Sequence, residues 1–352
     1  MFPERFLAFV LAGFVGFIAS ASAATPAIRS GDRHAVALHA DGTVRAWGDD
    51  SSGQLGLGRT LVASTPAFVA GIGDVRKVAS GFNHVVALRT DGSVWSWGKN
   101  SVGQLGDGGT TSRATPAPIP GLAGVIDISA GYDHTLALKA DGSVWSWGVN
   151  YGGQLGYDES TNAPVQVPGL PAIKAIAAGG LHSVALANDG GVWSWGTNDS
   201  GQLGDGTTAD RTAPRTVEGL RAASFIAGGG KHTLAIATDG TLFSWGSNYS
   251  GQVGDGLATD RLRPVAIAGL AGVTAVSAGI YHTLALLADG TMRAWGDGYG
   301  GQLGDGRNTP SSTPVTVSGL SAVTAIASRS LLQYFDQFQP PASAPPQPKI
   351  GP

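Results

Sequence analysis

The sequence predicts an all-β fold, a β-propeller of six complete blades with a seventh repeat that begins and stops. Three observations predict it. First, His34, His84, His134, His182, His232 and His282 are 48 to 50 residues apart. Second, Trp47, Trp97, Trp147, Trp195, Trp245 and Trp295 keep the same rhythm, and a GQLG (GQVG once) begins at Gly53, Gly103, Gly153, Gly201, Gly251 and Gly301. Third, glycine reaches 55 of 352 residues while nine tryptophans are present. Glycine-rich disordered chains lack tryptophan, so periodic glycine with tryptophan points to turn-rich repeats.

Taken in order, the chain opens on Arg5, an apolar run from Phe6 to Ile18, and Ala21-Ser22-Ala23. That is the three-part plan of a secretory signal peptide, so residues 1–23 are expected to be cleaved and the mature chain exported. The run is 13 residues, short of the ~20 that span a bilayer. No second apolar run follows, so no transmembrane span is expected in the mature chain.

The propeller is expected over residues 25–328. Within one unit, "VIDISAG" from Val125 alternates as a strand does, and "HTLALKA" from His134 is a second strand. Asp141-Gly142 reads as a two-residue type I′ hairpin turn, with positive φ at both positions. "SVWSWG" returns as a third strand, with Trp145 and Trp147 on one face and Val144 and Ser146 on the other. After the GQLG loop, "PVQVPGL" is a short, proline-marked outer strand or its remnant. Residues 329–352, ending "PPASAPPQPKIGP", are expected to be a divergent, Pro-rich, disordered tail.

The order G-x-x-H-[ST]-x-A-L, D-G-x-V-W-x-W-G, G-Q-L-G-x-G resembles the repeat of the regulator of chromosome condensation (RCC1) family. With its leader, the chain resembles an exported, bacterial-type member. The resemblance implies an RCC1-like propeller, usually of seven blades. Here the seventh repeat starts as "SAVTAIAS" at 321–328, then reads "RSLLQYFDQFQ" where G-x-x-H should stand. Three outcomes stay open: a ring closed by six blades, an incomplete seven-blade ring left open or completed by a partner, and a truncated or frame-shifted seventh repeat. Arg45 and Arg293 replace the first tryptophan of W-x-W in the first and last full units, where a seam must lie. Arginine can cover apolar surface while its head stays wet.

Composition narrows the chemistry. Net charge is −3 and no Lys/Arg cluster occurs, which argues against a nucleic-acid partner. With no cysteine, disulfides and cysteine-based metal sites or nucleophiles are excluded. The six histidines are read as structural, locking strands, because symmetry-related positions on separate blades stand too far apart to share a metal. The Asp-Gly aspartates are read as turn residues. "DGTTADR" at 205–211 and "DGLATDR" at 255–261 lack the spacing and closing Glu of a calcium loop. No G-x-S-x-G occurs. No catalytic residue, metal or cofactor is expected, and the protein is not read as an enzyme.

Function is sought where the repeats differ. One variable set precedes the histidines: Arg33, Phe82, Asn83, Tyr132, Asp133, Lys231 and Tyr281. The other precedes GQLG and includes Tyr151, Tyr249 and Tyr299. Each set is expected to cluster on a rim, and tyrosine with Asn and Ser suits recognition surfaces. The expectation is an exported, monomeric, non-catalytic propeller binding an unidentified protein through one rim, as an interaction or inhibitor scaffold. The alternative is a carbohydrate or cell-envelope module. The resemblance also implies a guanine-nucleotide-exchange regulator, as in the nuclear family namesake, which the leader and the acidic balance argue against.

Overall fold

The computed structural model describes residues 24–326. It contains six four-stranded antiparallel sheets, each built from four consecutive strands in chain order. Among the described residues there is no helix. The third blade is typical: Val125–Ala130 innermost, then His134–Lys139, Val144–Gly148 and Thr161–Gln166 outermost. The outer strand is thus a full strand, beginning ahead of the "PVQVPGL" stretch. Trp147 lies opposite Thr135 and Trp145 opposite Ala137, so the period-2 reading of the tryptophans holds. The innermost strands surround an axial channel of about 280 Å³, where Lys77 pairs with Asp127.

The hairpin turn differs from expectation. Gly142 has φ +83°, but no Asp of an Asp-Gly pair is in the left-handed region. Gly142 N–H donates to Lys139 O and Lys139 N–H to Ser143 O, closing a three-residue loop with glycine in the left-handed position. Asp141 instead accepts from Ser143 N–H at 2.9 Å and from Ser143 Oγ at 2.6 Å. Its carboxylate serves as a side-chain turn acceptor, which needs no positive φ.

The repeated motif is explained at the junctions between blades. A Cβ on Gly106, last of its GQLG, would stand 2.6 Å from Trp147 Nε1 of the next blade. The missing side chain is where that indole lies. Trp147 Nε1 donates to Gln104 O at 3.0 Å, and Trp97, Trp195, Trp245 and Trp295 repeat the bond to Gln54, Gln154, Gln202 and Gln252. The glycine of G-x-x-H has an equal reason: a Cβ on Gly229 would meet His232 Cε1 at 2.3 Å. The histidine then reaches across the junction. Thr283 Oγ1 donates to Gln252 O at 2.9 Å, so it accepts from His232 Nε2 at 3.0 Å, which places the ring proton on Nε2. One Gln carbonyl therefore collects an indole and a hydroxyl from the following blade.

Apolar packing follows the same plan. Val36, Leu38, Val44 and Ala46 of blade 1 pack with Val85, Ala87 and Trp97 of blade 2. Equivalent cores join blades 2 and 3, 3 and 4, 4 and 5, and 5 and 6. Among the described residues no such core joins blade 6 to blade 1. Trp47 is half-buried, whereas its five counterparts are fully buried, and it makes no indole bond to Gln302. A ring closed by blade 6 on blade 1 is therefore not what these residues make. Instead Val323 N–H donates to Gly290 O, the same step by which Val75 follows Gly42, and Ile326 reaches the axial channel. A seventh innermost segment is begun. Arg45 lies exposed on the open face of blade 1, as a seam residue should. Arg293 does not mark the seam: it shares the face of Trp295, which packs on blade 5. The expected leader (1–23) and tail (329–352) lie outside the described residues.

Candidate binding rim

The two variable sets fall on one rim. In every blade the loop after Trp-Gly is tied to the loop before His by a main-chain bond, as in Val149 N–H to Asp133 O and Ser247 N–H to Lys231 O. The loops before His are also chained from blade to blade: Asp32 N–H to Phe82 O, Phe82 N–H to Tyr132 O, Tyr132 N–H to Gly180 O. Variable side chains thus stand on a belt whose backbone is bonded along and across. A rigid backing lowers the ordering cost of binding.

Two aromatic pairs form on it. Phe82 and Tyr132 meet edge to face with ring centres 5.4 Å apart. Tyr249 and Tyr281, one from each variable set, do the same at 5.5 Å. Both geometries are the favoured T-shape. Charges are paired between neighbouring blades: Lys231 with Asp199 at 2.5 Å, and Lys99 with Asp133 at 3.4 Å. Asp133 also accepts from Gln104 Nε2 at 2.6 Å. Asn83 lies half-buried and Arg33 exposed on the same rim. Arg33 pairs with its neighbour Asp32.

Tyr151 and Tyr299 join neither aromatic pair and stand 84% and 74% exposed, with Tyr249 at 60%. Tyr151 borders an open groove of about 410 Å³ with Val102, Thr110, Val149 and Asn162. Val102 and Val149 belong to the variable stretches before GQLG, whereas sequence reading missed Thr110 and Asn162, since single polar loop residues carry no distinguishing signal. The six histidines are buried and spread over separate blades. Among the described residues no three His, Asp or Glu side chains come together in a way that could hold a metal.

One position in the set before GQLG is structural rather than free. Asn100 is buried; its Oδ1 accepts from Leu105 N–H at 2.9 Å and its Nδ2 donates to Asp107 and to Gly109 O. Asn150, Asn198 and Asn248 act alike. Blade 1 carries Asp50 there, and a carboxylate cannot donate. Its Oδ1 accepts from Leu55 N–H at 2.8 Å while its buried Oδ2 has no partner. Burial pushes its carboxyl up to about 6. Asp50→Asn is therefore expected to stabilise the fold by about 1 kcal/mol at pH 7.5, discounted for solvent near the loop. A raised carboxyl costs stability only as pH climbs from about 4 through 6. The gain should accordingly shrink at pH 4.5, which urea titrations at the two pH values would read.

Comparison with known proteins places this geometry. The RCC1-like domain profile matches residues 18–234, more than half of the chain, and the RCC1 repeat profile matches 239–286 and 289–328. The chain belongs to the RCC1 repeat family. Among solved structures it is similar to Prp20p of Saccharomyces cerevisiae, at 27% identity and TM-score 0.74, over 83% of this chain and 76% of that one. Human WBSCR16 is similar at 25% identity and TM-score 0.78, over 87% and 85%. Prp20p is described with its binding to Gsp1p and histones, and yeast RCC1 (Prp20) also in complex with Kap60. Comparison with curated protein sequences gave no match. The RCC1-like propeller supports a protein-binding scaffold in general terms.

Proposed function

We propose that this RCC1-family chain is an exported, non-catalytic scaffold that recognises a protein partner through the rim carrying Phe82, Tyr132, Tyr249 and Tyr281. The observation that carries the reading is the pair of edge-to-face aromatic contacts held on a belt of bonded loops. Aromatic anchors on a rigid backing are the usual source of interface energy. The protein partners named for Prp20p lend general support, although they belong to that protein. Export rests on the leader pattern of residues 1–23, and monomeric behaviour is proposed with it. The glycan alternative rests on Tyr151 and the open groove beside it, lined by Thr110, Ser160, Thr161 and Asn162 as well as Val102 and Val149.

The test is affinity capture from envelope and culture extracts with the chain from Thr25 onward. A triple variant, Phe82→Ala with Tyr132→Ala and Tyr281→Ala, serves as the second bait. A protein held by the first bait should bind the second at least about 100-fold more weakly, as loss of several anchors implies. Equal binding to both baits, with the variant's fold verified by its melting curve, would remove the rim from the reading. Capture of glycan alone would favour the alternative.

A further inference from the structure

Five of the six innermost strands set a small side chain at the same channel-lining position: Ala79, Ser129, Ala177, Ala227 and Ser277. Blade 1 sets Arg29 there. Side chains at this position face the following blade, since Ser129 Oγ accepts from Ala178 N–H at 2.9 Å. Arg29 therefore leans toward blade 2 and the axis, while Ile28 before it takes the open face of blade 1 and is 57% exposed. A guanidinium carries five N–H donors. Among the described residues Arg29 has one acceptor, Ile28 O, at 2.9 Å from its Nη1. The Asp127 carboxylate is already bonded to Lys77 and to Ile128 N–H. It acts on Arg29 only through space, and burial still holds the guanidinium below its usual range. Arg29 and Lys77 thus share one carboxylate, and among the described residues one positive charge of the channel has no counter-charge.

We propose that the axial channel is a binding site for a small oxyanion, a phosphate or a carboxylate, held by the Arg29 guanidinium. The planar fork of an arginine meets two oxygens of such a group at once, which a carbonyl of its own strand cannot offer. Ser129 supplies a further donor from two blades away: its Oγ accepts from Ala178 N–H, so its hydroxyl proton is still to be given. Lys77, at a position further from the rim, adds the second positive charge and keeps Asp127 occupied. The channel of about 280 Å³ exceeds the ~30 Å³ share of one water several-fold, so an oxyanion fits with part of its hydration shell. At a strand rise of about 3.3 Å per residue, Arg29 lies roughly 7 Å below Gly31, where the strand gives way to the rim loops. A group entering from the rim therefore reaches Arg29 before the Lys77–Asp127 pair. Alanine at the same position in blades 2, 4 and 5 shows that the fold does not need a charge there. The inference does not depend on the rim reading.

The test uses the full chain with inorganic phosphate as the probe, at constant ionic strength and near-neutral pH. Equilibrium dialysis should show saturable binding of a single phosphate per chain, half-saturated at about 5 mM or below. Arg29→Ala, which copies the neighbouring blades, should bind at least about 10-fold more weakly, as loss of a charge-assisted two-point contact implies. Arg29→Gln, which keeps the bulk and loses the charge, should behave like Arg29→Ala. Melting curves give a second reading. Phosphate at about ten times half-saturation should raise the midpoint of the parent by about 3 °C and that of either variant by a small fraction of this. General salting effects act on parent and variants alike and cancel in the difference. N-acetyl-triglycine, with a free carboxylate, and its C-terminal amide then separate the two sources of the anion. Displacement of phosphate by the free carboxylate alone would support the site as one for a chain end or acidic side chain entering from the rim. Phosphate that neither peptide displaces would support it as one for a free ion. No saturable binding by the parent, or equal binding by the parent and both variants, would overturn the proposal.

Discussion

Trp147→Ala is expected to destabilise the propeller by about 3–5 kcal/mol, and Trp47→Ala by less than half of that. The two residues hold the same place in their repeats, so the difference isolates the junction. Trp147 is 0% exposed, lies on Gly106 and bonds Gln104 O at 3.0 Å. Its loss would leave a cavity of indole size and strand a buried carbonyl, and each carries its own cost. Thr135 Oγ1 still points at that carbonyl from 3.4 Å, which softens the second cost without removing it. Trp47 is half-buried and bonds no Gln carbonyl. Much of its ring is already in contact with water, so its removal opens no sealed cavity. Urea titrations of the two variants beside the parent would measure both values. Equal costs would mean that Trp47 is covered in solution.

How much of this was legible beforehand can be argued from the same residues. The period of about 50 residues and the strand alternation were enough for six blades, because strands and hairpin turns are local and repeat with the motif. Gly142 takes a positive φ, and Trp145 and Trp147 share a face because strands alternate. Junction chemistry was not legible. The indole on Gly106 and the carbonyl of Gln104 are about 40 residues apart in sequence, and no single repeat contains both partners. Arg293 was misread for a related reason. Being in the last repeat does not place a residue at the seam, because each blade has one face toward its predecessor and one toward its successor. The rim was legible as two variable sets. That they form one surface depends on bonds such as Asp297 N–H to Tyr281 O, which join loops that the sequence separates by a hairpin. Asn100 and its counterparts were hidden by the opposite effect: a fixed buried residue lies inside a loop whose neighbours vary.

Acid should weaken the fold well before its turn aspartates are titrated. Burial holds the His182 ring down at about 4. Burial, and then the neighbouring His182 and His232's other neighbour His282, hold His232 down at about 3. His282 is lowered as well, by burial. All three rings therefore stay neutral in the folded chain at a pH where the unfolded chain, titrating near 6.5, takes up protons. The unfolded state then binds more protons, so stability is full above about pH 6.5 and falls as pH drops toward 4. Each such histidine costs up to about 1.4 kcal/mol per pH unit, so His182 and His232 together account for roughly 5 kcal/mol between pH 6.5 and 4.5. The turn aspartates act elsewhere. Asp91 and Asp141 are held low, chiefly by the hydroxyls of Ser93 and Ser143, so they lose their contribution only below about pH 4. Asp50 opposes the histidines over part of the window, and one such group cannot cancel two. Unfolding free energies at pH 7.5, 5.5 and 4.5 should show the decline, and His232→Gln should flatten it by about 1.4 kcal/mol per unit even though the variant starts less stable. A profile level down to pH 4.5 in the parent would mean that the histidines take up protons inside the folded chain. The added proton would then sit on Nδ1, the buried ring nitrogen, while the bond from His232 Nε2 to Thr283 is kept, so the junction would have to supply that nitrogen with an acceptor.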